Sequence, residues 1–227
     1  LDLSAMDEWL PLADSIFEAA QAEGAESVAM GDDTIRLQAY RACYLQSLLE
    51  SLGLPIEVDE KTQATVRLLT DPGKVQDVKL PDGLSLRPYQ ERGFQWLLAL
   101  DRLHMGGILA DDMGLGKTVQ VLSYLLAMTQ NGQTLPSLIV CPASLVLNWA
   151  EECQKFTPEL SCMVVDGDAA HRAELAESWP AADLVVTSYD LLRRDEALYE
   201  GQEFYACILD EAQAIKNHTT QKYKAVC

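Results

Sequence analysis

The chain has 227 residues, 48% of them hydrophobic and 23% charged, with a net charge of −18 from 35 acids against 17 bases. This globular composition excludes a disordered tail or low-complexity filler, and the length suits one large domain, or one domain with a smaller appendage. No apolar run approaches the roughly 20 residues of a membrane helix, the opening LDLSAMDEWL is no signal peptide, and so acidic a surface repels nucleic acid and acidic membranes on average. Any contact with DNA therefore requires a local basic patch.

Residues 1–80 read as helical and acidic, with nine acids up to Asp33 and Arg36 as the first base. Ser4 predicts the N-cap of a helix carrying Trp9, Leu12, Ile16 and Ala19 at spacings of three or four. Gly24 and Gly31-Asp32-Asp33 punctuate the chain; a second helix is expected over 39–52 and a third over 59–69. Asp71-Pro72-Gly73 and Pro81-Asp82-Gly83 break the pattern, and the domain boundary is placed at residue 80.

From 81 to 227 short apolar runs alternate with helical stretches. The runs are GGILA (106–110), SLIVCP (137–142), CMVVDG (162–167), DLVVTSY (183–189) and ACILDE (206–211). The helical stretches are 117–130, 144–156, 169–178 and 190–198. Runs this short and β-branched suit strands buried on both faces, and strand–helix alternation implies an α/β fold with a parallel sheet. Six cysteines, at 43, 141, 153, 162, 207 and 227, form no C-x-x-C and have no histidine at metal-ligand spacing. Reduced thiols in a cytoplasmic protein are expected, with Cys141 and Cys207 as small buried hydrophobes.

The segment Asp111-Asp112-Met113-Gly114-Leu115-Gly116-Lys117-Thr118 follows one apolar run and opens an apolar helix. Phosphate binding requires that context. Gly114 and Gly116 let the backbone curl around an anion, the helix N-terminus points at it, Lys117 adds a full charge and Thr118 offers a hydroxyl to magnesium. The general pattern G-x-x-x-x-G-K-[ST] has glycine where this chain has Asp111. A second candidate, Asp210-Glu211, ends the run Ile208-Leu209. Asp210 can hold magnesium and Glu211 can deprotonate a water; an Asp-Glu pair at a strand end is common by itself and gains weight beside the loop.

The chain resembles the Swi/Snf-like ATPases, the chromatin-remodeller branch of helicase superfamily two, and above all their bacterial members. The resemblance rests on LRPYQERGFQWL (86–97), GGILADDMGLGKTVQ (106–120), LIVCPASLVLNW (138–149), VVTSYDLLRRD (185–195) and ILDEAQAIKN (208–217), in the family's order. Within that branch an acid at 111 is normal, Asp112 stands where Glu is commoner, and Gln213 where many relatives have His. The resemblance implies a RecA-like lobe over 81–227, binding ATP with magnesium through Gln90, the loop 111–118 and Asp210. It makes Gln90 a reader of adenine, Glu211 the catalytic base and Gln213 a sensor of nucleotide state. It places Ser144, Asn148, Thr187, Ser188 and Tyr189 toward double-stranded DNA; for Trp149, core packing is at least an equal reading. Residues 1–80 resemble the helical region that precedes the motor in bacterial relatives. A Thr-Gly-Thr-Pro signature and the second lobe, with its arginine fingers, are expected beyond Cys227, which makes this chain one incomplete lobe of a two-lobe motor. The rivals are a nucleotide-gated scaffold without a hydrolytic cycle, against which intact Lys117, Asp210 and Glu211 argue, and a metabolic P-loop kinase, which leaves 138–149 and 185–195 unexplained.

Overall fold

The computed structural model describes residues 60–226, so the helices expected after Ser4 and over 39–52, and Cys43 and Cys227, lie outside the described residues. The described residues form two compact units, one of residues 60–72 with Arg102–Met105, the other of Gly73–Asp101 with residues 106–226.

In the first unit, α1 (Glu60–Thr70) falls where a third helix is expected. Glu60 in its first turn and Arg67 in its last complement the helix dipole. The Thr70 hydroxyl donates back to Val66 O at 2.8 Å, and the chain leaves the helix through Pro72 and Gly73, whose φ is +57°.

The second unit carries α2 (Pro88–Arg102), α3 (Lys117–Gln130), β1 (Ser137–Cys141), α4 (Val146–Phe156), β2 (Cys162–Val164), α5 (Ala169–Ala176), β3 (Leu184–Ser188), α6 (Tyr189–Arg194), α7 (Glu196–Tyr199), β4 (Cys207–Leu209) and α8 (Gln221–Val226). Its four strands are parallel in the order β2-β3-β1-β4, with Leu138 opposite both Val185 and Cys207, and Met163 opposite Val185. Every residue of β1 and β3 is buried, so their side chains alternate between two cores. Ile139, Cys141, Leu184 and Val186 join Phe94, Leu122, Leu126, Trp149 and Cys153 on one face. Leu138, Val140 and Val185 join Val165, Trp179, Tyr189 and Leu192 on the other. Each fully buried Leu, Ile or Phe contributes about 1.5–3 kcal/mol, and the two-faced burial explains why the strand runs are continuously apolar.

An extended segment from Gly73 to Leu86 lies against the first core through Val75, Val78, Leu80 and Leu86. Its backbone is satisfied by side-chain amides in place of a strand. The Gln95 Oε1 accepts from Val75 N at 2.6 Å and Gln76 N at 3.0 Å, and its Nε2 donates to Gln76 O at 2.7 Å. Gln130 does the same at Lys79, accepting at 3.0 Å and donating at 2.8 Å. A carboxamide carries one acceptor and one donor group, as a peptide unit does.

Three expectations are corrected. The run GGILA is no strand: residues 106–110 have no ladder partner among the described residues, and Ile108 is 85% exposed. A strand exists only as part of a ladder, and two consecutive glycines bring no side chain to hold the run against one. The stretch 190–198 is two helices, α6 and α7, broken at Asp195, whose carboxylate is taken by the buried Arg172 guanidinium at 2.6 and 2.9 Å. Cys207 is exposed, because β4 is an outer strand.

Candidate functional site

Two clusters carry the sequence-predicted residues. In the first, Gly114 and Gly116 have φ of +82° and +78°, the left-handed region that glycine enters freely. Gly116 caps α3. A Cβ there would lie 2.6 Å from Gln90 Nε2, whereas one on Gly114 would meet open space. Gln90, three residues after Arg87 and behind Pro88 at the first position of α2, accepts from Arg87 N at 2.9 Å, as one half of a capping box. Its Nε2 donates to Leu115 O at 3.0 Å, so one amide ties the start of α2 to the loop. The Lys117 ammonium folds over the loop and donates to Asp111 O at 2.8 Å and Asp112 O at 3.2 Å. Both partners are neutral carbonyls, and among the described residues no carboxylate pairs with this charge. Asp112 and Met113 form the exposed tip, and Thr118 is half-buried on the first turn of α3.

Asp111 is held by a residue that sequence reasoning passed over. Gln120, fully buried, donates from Nε2 to Asp111 Oδ2 at 3.0 Å, and Gly93 leaves room for its Oε1, which a Cβ would approach to 1.8 Å.

The second cluster sits where the chain leaves β4. Asp210 N donates to Val140 O at 2.9 Å and so prolongs the ladder. The Asp210 carboxylate accepts from Trp149 Nε1 at 2.9 Å on Oδ2 and from Glu211 N at 2.9 Å on Oδ1. The Tyr189 hydroxyl donates to Asp210 O at 2.9 Å. Glu211 has φ +51°, uncommon for a non-glycine residue, and the exposed Gln213 amide donates to its Oε2. Burial, and next the charge of Asp210, push the Tyr189 hydroxyl and the Cys141 thiol each up to about 12, so both stay neutral beside the acid. No hydrogen bond joins the two clusters among the described residues.

The residues expected to face DNA divide. Ser144 and Asn148 are exposed at the start of α4. Thr187, Ser188 and Tyr189 are buried in the lobe. The Thr187 hydroxyl accepts from Tyr199 OH at 3.1 Å, the Ser188 hydroxyl caps α6 by accepting from Leu191 N at 3.2 Å, and Tyr189 holds Asp210. Their burial follows from the position of β3 inside the sheet, and it leaves these three no surface to offer a duplex. Trp149, 3% exposed, is in the core and also bonded to the acid.

The donor set fits a nucleotide with magnesium. The loop's positive-φ glycines, its uncompensated ammonium and the helix N-terminus suit a polyphosphate, and the hard oxygens of Thr118 and Asp210 suit magnesium. A parallel sheet with helices on both faces and a glycine-shaped lysine loop opening a helix define a phosphate-loop α/β lobe. The model for the SNF2-related domain matches residues 89–227, and the chain belongs to that family. It is 40% identical over 173 residues to the Aspergillus fumigatus TATA-binding protein-associated factor mot1, covering 70% of this chain and 9% of that protein. It is 36% identical over 178 residues to the Bacillus subtilis putative ATP-dependent helicase/translocase YwqA, covering 77% of this chain and 19% of that one. A solved Sulfolobus solfataricus SWI2/SNF2 ATPase core in complex with dsDNA is similar at a TM-score of 0.58 and 39% identity, over 63% of this chain and 29% of that one. The match thus spans 9% and 19% of the length of these two curated relatives.

Proposed function

We propose that this chain supplies the first ATP-binding lobe, residues 81–227, of a cytoplasmic ATP-dependent translocase on double-stranded DNA, with residues 1–80 as the region preceding the motor. The observation that carries the reading is the Lys117 ammonium, held only by loop carbonyls on a loop whose shape depends on Gly114 and Gly116. It exchanges two neutral acceptors for phosphate oxygens, which bind a cation more strongly. The loop N–H groups from Asp111 to Thr118 cradle the rest of the phosphate chain. Gln90 spends one bond from each amide atom on the backbone and keeps one further acceptor and one further donor position, which an adenine edge requires.

Thr118 and Asp210 would hold the magnesium, which when bound neutralises charge on the phosphates. Glu211, aimed by Gln213, takes the proton of the attacking water. Ser144 and Asn148 offer polar groups to phosphates of DNA without reading sequence. Residues 81–227 carry 20 acids against 11 bases, and five of those bases, Arg193, Arg194, Lys216, Lys222 and Lys224, fall within 32 residues on or between α6 and α8, which pack together. Six acids share the same stretch and Lys222 pairs with Asp190 at 3.1 Å, so contact with DNA rests on single bases such as Arg193, Arg194 and Lys216 and should be weak and salt-sensitive. A second lobe, closing over the nucleotide with arginine side chains, is the partner needed for turnover; such arginines contribute about 10³–10⁵ in rate.

The test is ATP turnover by the complete motor with and without duplex DNA, as wild type and Glu211→Gln. Expected are DNA-stimulated hydrolysis in the wild type and a fall of roughly 10²-fold or more in the variant, with Mg·ATP affinity retained. Turnover within a few-fold of wild type removes Glu211 from the role of base; absence of DNA stimulation in the wild type removes the translocase reading.

A further inference from the structure

Trp149 lies in the apolar core between α4 and the sheet, 3% exposed, among Phe94, Leu122, Ile139 and Cys153. Its indole N–H is a donor with no alternative role, and a buried indole seeks an acceptor. The acceptor here is no carbonyl of α4 but Asp210 Oδ2, 61 positions away, at 2.9 Å. The other carboxylate oxygen is taken by Glu211 N at 2.9 Å. Two donors, one on each oxygen, fix the rotation of the carboxylate about its Cβ–Cγ bond. The remaining lone pairs are left in one set direction. Tyr189 fixes the backbone of the same residue from its carbonyl.

Building on the nucleotide-binding reading above, we propose that Trp149 is a positioning residue for the magnesium-binding carboxylate of Asp210, with its ring packing serving to hold the indole N–H at that oxygen. A partner that orients a metal ligand from behind typically changes metal affinity or activity by about 10–100-fold when it is removed. Trp149 is also the next residue after Asn148, so a rigid helical turn links the polar surface of α4 to the acid.

The test uses the 227-residue chain labelled with ¹⁵N, in which the Trp149 indole N–H gives its own resonance. Mg·ATP is titrated in, against ATP in excess chelator. The inference expects the Trp149 indole signal to move with Mg·ATP and to stay in place with ATP alone. It expects Trp149→Phe, which keeps an aromatic ring and removes the donor, to leave metal-free ATP affinity unchanged and to cut the magnesium-dependent gain in affinity about tenfold or more, in a chain that still unfolds cooperatively at a melting temperature lowered by the smaller ring and the lost hydrogen bond. An indole signal indifferent to Mg·ATP that moves the Gly114 and Gly116 amides overturns the inference and leaves the nucleotide reading standing; so does a Trp149→Phe chain whose magnesium dependence stays within twofold. Amides of Gly114 and Gly116 that ignore Mg·ATP overturn both. Should Trp149→Phe fail to fold, the wild-type indole titration decides alone.

Discussion

The loop around Lys117 and the acid pair after β4 are built on opposite principles. The loop is shaped by backbone torsions at two glycines and closes on its own carbonyls, with Lys117 reaching back only five and six residues. Asp210 is placed by side chains from α4 and α6, 61 and 21 positions away. One site is written mostly locally, the other by the fold. The loop takes its form from its glycines, with one long-range tie from Gln90 to Leu115 O, while the acid keeps its aim only while the sheet and both helices are packed.

Lys117→Ala is the change with the largest expected effect and falls on the local site alone. It should lower Mg·ATP affinity by roughly 10²-fold, measured calorimetrically, because a charge-assisted contact to phosphate is lost. Since Lys117 supports no partner besides two carbonyls, the melting temperature should barely move; unchanged affinity would sink the loop assignment. Next come the two glycines. Gly116→Ala meets both a positive φ and the Gln90 amide, and should cost about 3 kcal/mol in urea denaturation. Gly114→Ala meets only the φ and should cost about 1–2 kcal/mol. Equal costs would show that Gln90 moves aside freely. Tyr189→Phe probes the acid site, and should cost about 1 kcal/mol because it strands the Asp210 carbonyl. A further effect of Tyr189 is confined to alkaline solution. The Tyr189 hydroxyl titrates at about 12 in the fold against about 10 unfolded, so the unfolded chain loses that proton first. Its contribution is present below pH 10 and is lost as pH rises toward 12. The Tyr189→Phe chain should show a shallower decline over that window in denaturation curves.

What was legible in the sequence follows the same division. The apolar runs at 137–141 and 184–188 and the helix Lys117–Gln130 were readable because both faces of the sheet are covered and α3 follows its glycine cap. GGILA has the composition of those strands and lacks a partner, and no local pattern records who pairs with whom. The break at Asp195 depends on Arg172, 23 residues earlier. Thr187, Ser188 and Tyr189 look polar in the sequence and are consumed inside the lobe by Tyr199, by a helix cap and by Asp210. The contacts of Trp149 with Asp210 and of Gln120 with Asp111 left one signal each: a polar atom on a residue whose neighbours read as core. The amide-bonded segment at 73–86 left none, since glutamine at 95 or 130 reads as an exposed helix face.

The outer strand β4 has one side unpaired among the described residues and carries an exposed thiol, Cys207. A row of free backbone donors and acceptors is a template on which a second molecule can add. In a preparation of this chain the main force opposing that addition is mutual repulsion between molecules of charge −18. Repulsion of that kind reaches roughly 10 Å at 0.1 M salt and about 3 Å at 1 M. Colloidal stability should accordingly decline as salt is raised, opposite to a protein kept apart by its hydration alone.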